Sequence, residues 1–275
     1  MNYLEVKFAY NPEKVNGEIL LAEVAEIPFE SFVEEEGLLT AYVQVDEFDK
    51  SKLDEIEFLT DNEIIPGIQE IQQVNWNEEW EKNFDLVEVA NNCVIIADFH
   101  KLDREYKYTI RINPKMSFGT GHHATTSLVL GHMLKMDFKS KTILDMGTGT
   151  GVLAILAAMM GATHTLAIDN NIWAYENSIE NVRLNGWEKE IEVVEGEVDL
   201  IEGRIFDSVL ANINKNVIKA QLANYYTALK PGGDLLLSGI LTSDSEEIKE
   251  RAIGTGFNFV TEQQKDKWTL LVFSK

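Results

Sequence analysis

The first residues that could carry chemistry are Gly147-Thr148-Gly149-Thr150-Gly151. They follow the apolar run Thr142–Met146 and open the helix-forming string Val152-Leu153-Ala154-Ile155-Leu156. Glycines admit positive φ and let a ligand approach the backbone, and the first N–H groups of a helix have no partner within it. Asp169 ends the next apolar run, 22 residues after Gly147, where it can accept hydrogen bonds from both hydroxyls of a ribose. Asn212 ends a further run, Val209-Leu210-Ala211-Asn212, and offers an amide. In an open α/β sheet the carboxyl ends of the strands form the ligand crevice. The three positions therefore converge if these runs are neighbouring strands.

Two cofactor classes compete for such a loop. Gly147-x-Gly149-x-x-Val152 fails the dinucleotide fingerprint, yet Gly149-x-Gly151-x-x-Ala154 meets its looser form, with Asp169 about 20 residues on. A nicotinamide-dependent oxidoreductase is one reading. S-adenosyl-L-methionine is favoured by Asp145, which at a strand end would repel a pyrophosphate and suit a cationic sulfonium. It is also favoured by the end of the chain, where Phe257–Gln263 and Trp268–Phe273 are too close in sequence to pair other than antiparallel. Nothing downstream resembles a dehydrogenase substrate site. A turn with no ligand, or a binding module without turnover, is the plainer alternative. His122 and His123 have no Cys, Asp or Glu at ligand spacing, so no metal is expected. Ser127 and Cys93 show no nucleophile–base arrangement.

Periodicity outlines the elements that must position these groups. From Lys141 onward, apolar runs at 142–146, 165–169, 191–194, 206–213 and 234–240 alternate with helical stretches at 152–160, 172–185, 216–229 and 243–252. The alternation predicts a Rossmann-like α/β domain of the methyltransferase type, a seven-stranded sheet with an antiparallel last strand. Ahead of it, Tyr3–Phe8, Val15–Val24, Phe29–Glu35, Leu38–Val45 and Ser51–Leu59 read as βαββα, a small α+β module of ferredoxin-like type. Asp61-Asn62-Glu63 and Pro66-Gly67 place a boundary after it. The expected layout is an acidic module over 1–60, a linker over 61–85 and the α/β domain over 86–275. Within the linker, Trp76, Trp80 and Phe84 fall on one face of a short helix over 75–84, read as docking core.

Composition narrows the function classes. The 275 residues are 45% hydrophobic and 25% charged, which excludes disorder and disulfide-stapled miniproteins. One cysteine, no run of 18 apolar residues and no basic, then apolar, leader predict a cytoplasmic protein without a membrane span. A net charge of −22 argues against direct nucleic-acid binding, which needs clustered cations. Residues 1–70 hold 18 acids against 4 lysines, a net −14, so this end is expected to steer a basic partner. A monomer is expected.

The string Phe118-Gly119-Thr120-Gly121-His122-His123-Ala124-Thr125-Thr126, then the glycine loop, Asp169 and Ala211-Asn212-Ile213, resembles the PrmA family of ribosomal protein L-eleven methyltransferases. The family pattern is FGTGxHxTT, DxGxGSGxLAI, an acid after the second strand, and ANI. Order and spacing match over residues 114–240. Residues 75–84 resemble the family's Trp-rich linker, and the acidic module its substrate-recognition domain. The resemblance implies S-adenosylmethionine-dependent N-methylation of amino groups, lysine side chains or the N-terminus, on a basic large-subunit ribosomal protein. It implies cofactor contacts at Phe118, Thr120, Thr126, Gly147, Gly149, Asp169 and Asn212, with Asn212 also catalytic, beside the methyl donor and incoming amine. His123 is expected to shape the pocket, and the Thr126 hydroxyl to lie near the methionine tail. The alternative is a methyltransferase acting on another protein or a small molecule. Three departures bear on substrate choice: GTGTG for the usual GCGSG, Asn170-Asn171 after Asp169 for a DP step, and Asn214 for an apolar residue after Ile213.

Methyl transfer to an amine needs a free lone pair. A lysine ammonium, pKa about 10.4, loses its proton at pH 7 at a cost of about 4.6 kcal/mol. Desolvation lowers that cost, and Asn212 with the carbonyls of 211–213 can hold the neutral amine. No dedicated general base is identified.

Overall fold

The computed structural model describes residues 3–25, 27–71, 85–113, 115 and 118–275, which leaves the predicted aromatic helix at 75–84 outside the described residues. The chain divides into two compact units, Met1–Phe84 and Asp85–Lys275.

The first unit runs β1 (Tyr3–Ala9), α1 (Gly17–Val24), β2 (Ser31–Glu35), β3 (Leu38–Gln44), α2 (Lys50–Asp54), α3 (Glu57–Asp61) and β4 (Gly67–Ile71). Alternate residues Val6, Phe8, Leu39 and Ala41 face one side of the sheet and meet Leu20, Val24, Leu53 and Leu59 from the helices. Asp49 caps α2 by accepting the Ser51 N–H at 3.0 Å. The helix expected over 51–59 is broken at Ile56, which turns to extended backbone and packs against the core. The module does not end at residue 60. Strand β4 pairs antiparallel with β1, from Lys7↔Gly67 to Tyr3↔Ile71, and gives the sheet order β2-β3-β1-β4. With α2 and α3 in the place of the second helix, this closing strand completes the βαββαβ pattern that a ferredoxin-like sheet requires. Pro66-Gly67 starts a strand, so the linker cannot begin at 61.

The second unit opens with a three-stranded sheet, β5 (Val87–Val89), β6 (Cys93–Ile96) and β7 (Tyr108–Arg111), followed by α4 (Ala124–Met133). The three strands were not foreseen, because runs of three or four residues span too few repeats to read. The α/β array follows: β8 (Thr142–Met146), α5 (Val152–Met159), β9 (His164–Asp169), α6 (Ile172–Asn185), β10 (Ile191–Glu195) and β11 (Phe206–Asn212). Then come α7 (Lys215–Ala228), β12 (Leu229–Leu241), α8 (Ser245–Thr255), β13 (Asn258–Lys265) and β14 (Trp268–Ser274). The sheet order is β10-β9-β8-β11-β12-β14-β13, and β14 lies antiparallel to both neighbours. Helix α5 is buried from Val152 to Ala158 because it lies between the large sheet and β7, so it needs no polar face. The chain winds outward from β8 through β9 to β10, then returns to β11 on the other side of β8. That reversal opens a crevice at the carboxyl ends of β8 and β11, where Gly147 and Asn212 sit. Among the described residues no helix is long and apolar enough to cross a membrane.

Candidate functional site

The glycine loop leaves β8 in a shape that its neighbours impose. Gly147 has φ +71°, and a Cβ there would collide with Ile213 Cγ2. Gly149 has φ +59°, and a Cβ would collide with the Phe118 carbonyl oxygen. The left-handed φ at both positions, with the Ile213 side chain against one and the Phe118 backbone against the other, therefore calls for glycine. The N–H groups of Gly147 and Thr148 donate to the Ile168 carbonyl at 2.8 and 3.0 Å. Gly149 N–H donates to Asp169 Oδ2 at 2.9 Å. Thr150 donates its N–H to the Phe118 carbonyl at 2.9 Å and its hydroxyl to the Gly119 carbonyl at 2.7 Å. Phe118 and Gly119 thus sit directly on the loop.

Asp145 does not face the crevice, contrary to the sulfonium role its strand-end position suggested. It is 1% exposed, beneath the loop, and its Oδ2 accepts the Thr148 hydroxyl at 2.7 Å and the Ala154 N–H at 3.2 Å. Thr148, one of the departures from the family pattern, is an anchor for this carboxyl. Burial pushes the Asp145 carboxyl from its ordinary 3.8 up to about 7, against the opposing pull of Thr148 and Ala154, and Asp169 adds to the rise. A folded pKa above the unfolded one means that the native chain holds the extra proton. The stability this carboxyl contributes is full below its unfolded pKa and is lost as pH rises through the folded one. Asp145→Asn should flatten that decline. Urea midpoints between about pH 5 and 8 should fall less steeply than for the native chain, and parallel curves would mean the carboxyl is ionised throughout.

A cleft of ≈ 940 Å³ follows the carboxyl edge of the sheet. In strand order it passes Glu197 after β10, Asp169 on β9, Gly147 and Gly149 after β8, Asn212 on β11 and Trp268 on β14. Asp169 Oδ1 accepts the Asn171 N–H at 3.0 Å. Each oxygen of this carboxylate has one recorded backbone partner and lone-pair capacity to spare, so ribose hydroxyls could still be received. Asn212 donates from Nδ2 to Thr126 Oγ1 at 3.3 Å, while its Oδ1 is buried without a partner. An orphaned carbonyl at the switch point, beside an acid with spare acceptor capacity and a loop without side chains, fits a ribose-bearing cofactor and a hydrogen-bond donor next to it.

Of the residues singled out in the sequence, Phe118, Gly147, Gly149, Asp169 and Asn212 line the cleft together. Thr126 does not. It is fully buried in the first turn of α4, where its hydroxyl accepts from Asn212, while the equally buried Thr125 borders the cleft. Thr120 also stays off the lining, its hydroxyl 3.2 Å from His122 Nδ1. His123 lines the cleft and caps α4, its Nδ1 accepting the Thr125 N–H at 3.4 Å. Its ring stands edge-on between Phe118, 5.1 Å away, and Trp268, 4.7 Å away. The two asparagine departures are helix caps. Asn171 Oδ1 accepts from Trp173 and Ala174 at the start of α6, and Asn214 Oδ1 from Asn216 and Val217 at the start of α7. Sequence reasoning missed Glu197 and Trp268 as lining residues. Glu197 follows the end of a strand run, a signal that was available, whereas Trp268 reaches the cleft only because β14 inserts beside β12. Among the described residues no group of three or more His, Cys, Asp and Glu is placed to hold a metal ion.

Comparison with known proteins gives the same picture along the whole chain. Residues 12–275 match the family model described as ribosomal protein L11 methyltransferase (PrmA). The ribosomal protein L11 methyltransferase of Phocaeicola vulgatus is 43% identical over 280 residues, 99% of each chain. That of Bacteroides thetaiotaomicron is 42% identical over the full length of both. Among solved structures, the ribosomal protein L11 methylase of Lactobacillus delbrueckii subsp. bulgaricus shares the fold, with a TM-score of 0.65 at 24% identity over 70% of this chain and 99% of that one. With a family model and relatives that match from end to end, over the cleft and the acidic module alike, this chain belongs to the ribosomal protein L11 methyltransferase family.

Proposed function

We propose that the protein methylates amino groups of ribosomal protein L11, on lysine side chains or the N-terminus, with S-adenosylmethionine as the methyl donor. When bound, the donor supplies a methyl group on a positively charged sulfur, open to in-line attack by a lone pair. Asp169 would take the ribose, which directs the adenine toward Glu197 on the β10 side and the methionine half toward the β8–β11 crevice. Phe118 and the Gly147–Gly149 backbone form the floor and wall between these ends.

The observation that carries the reading is Asn212. One N–H of its Nδ2 is used on Thr126, and its Oδ1, which can only accept, has no partner, whereas an incoming amine is a donor. A buried carbonyl without a donor costs about 1–3 kcal/mol, which an amine would relieve on arrival. His123 and Trp268 present ring surface at this end of the cleft, and desolvation by a bound substrate would favour the neutral amine that must attack. Asp145 is sealed under the loop and does not serve as a base. The acidic first unit would hold the basic substrate.

Asn212→Ala tests the assignment. The maximal rate of methyl incorporation into purified L11 should fall roughly 10- to 100-fold, with the cofactor KM within about threefold of the native value. A rise in cofactor KM at unchanged kcat would limit Asn212 to cofactor binding. No incorporation by the native chain would remove the substrate assignment.

A further inference from the structure

The glycine loop is also held from behind, by helix α6. Asn177, Asn181 and Asn185 recur every four residues along one face of this helix, and the first two are fully buried. Asn185 is zipped to the end of β7. It accepts the Arg111 N–H at 2.9 Å and donates to the Arg111 carbonyl at 2.6 Å. Asn177 donates to the Asn113 carbonyl at 3.1 Å. Asn181 spans two segments, because its Oδ1 accepts the Asn113 N–H at 2.7 Å while its Nδ2 donates to the Thr150 carbonyl at 2.9 Å. Of the three, Asn181 is the one that reaches the glycine loop.

The Thr150 carbonyl needs that donor. It lies one residue before the N-cap Gly151, so the ladder of α5 supplies it no donor, and the free first-turn N–H of Ala154 goes to Asp145. Asp145 and Asn181 thus act as a matched pair at the mouth of α5, one taking the helix N–H and the other supplying the loop carbonyl. Thr150 stands outside the helix ladder, with its N–H on Phe118 and its hydroxyl on Gly119. The preceding residue, Gly149, is aimed at Asp169. Positive φ at Gly147, Gly149 and Gly151 allows this path without enforcing it, since glycine accepts many others.

We infer that Asn181 is a positioning residue of the cofactor cleft, whose carboxamide clamps the Thr150 carbonyl and so sets the loop shape in which Gly149 meets Asp169. The inference rests on the reading of the cleft as the S-adenosylmethionine site. Asn185 supplies the control, because it ties the same helix face to β7, and to the Asn181 carbonyl at 2.7 Å, without touching the loop.

The experiment measures S-adenosylhomocysteine affinity by calorimetry and the thermal midpoint for the full chain, Asn181→Ala, Asn181→Ser and Asn185→Ala. Both Asn181 variants should bind at least about tenfold more weakly. Asn185→Ala should lose a similar amount of thermal midpoint yet bind within about twofold of the native chain. Calorimetric affinity reports on folded molecules, and the serine variant keeps a polar group should the alanine variant fail to fold. Native-like affinity in a folded Asn181 variant overturns the inference, as does equal weakening in Asn185→Ala. A native chain that does not bind S-adenosylhomocysteine would sink the cofactor reading and this inference with it.

Discussion

A chain that begins at Asp85 should bind S-adenosylhomocysteine as the full protein does, yet methylate L11 at least about 100-fold more slowly at low substrate, a loss of ~3 kcal/mol of recognition. The second unit contains both of its sheets and a core of its own, including Leu144, Leu166, Val209, Leu235 and Leu271, and every lining residue of the cleft. The first unit has a separate core around Phe8 and Leu39. Its first 70 residues carry a net −14 and none of the cofactor loop. Cofactor binding and attraction of a basic substrate should therefore separate on truncation. Salt gives a companion measurement. Raising it from about 0.05 to 0.5 M shortens the Debye length from roughly 14 to 4 Å. Methylation by the full chain should then fall while cofactor affinity holds. If the truncated chain methylates L11 as fast as the intact one, the first unit does not recognise substrate, and its acid serves only solubility.

Asp169→Ala should weaken S-adenosylhomocysteine binding by about 1.5–3 kcal/mol, roughly 10- to 150-fold, the range for charge-assisted hydrogen bonds. Two losses combine. The ribose would lose its acceptor, and the Gly149 N–H would lose the carboxylate that orients it. Asp169→Asn keeps an acceptor oxygen and should fall between the two. Asp169 is partly buried at a strand end and belongs to no hydrophobic core cluster, so circular dichroism should remain native. Unchanged affinity in a folded alanine variant would take Asp169 out of the ribose role.

Some of this site was legible from residue order because a parallel sheet turns order into place. A residue that ends an apolar run must lie at the carboxyl edge, so Gly147, Asp169 and Asn212 could be assigned to one crevice before any contact was known. The terminal hairpin was legible for a similar reason, since Gln264-Lys265-Asp266-Lys267 is too short for a crossover. The acidic module was legible as a compositional shift, although its closing strand was not. Only Ile68 and Ile71 are apolar in Gly67–Ile71, and the strand exists because β1 offers it an edge.

What the sequence determined by itself was which strand ends bear Gly147, Asp169 and Asn212, because alternation and glycine spacing are local properties. What only the tertiary structure decided was which way a side chain turns and what stands opposite it. Thr126 turns its hydroxyl to Asn212 because the packing of α4 sets its rotation. Asp145 lies under the loop because Thr148 and Ala154 claim its carboxyl. Trp268 joins His123 because β14 slots between β12 and β13. Asn181 reaches Thr150 because α6 folds back across the loop. Period states which face of an element is apolar. The partner of that face is chosen by packing across dozens of residues, and no local pattern encodes it.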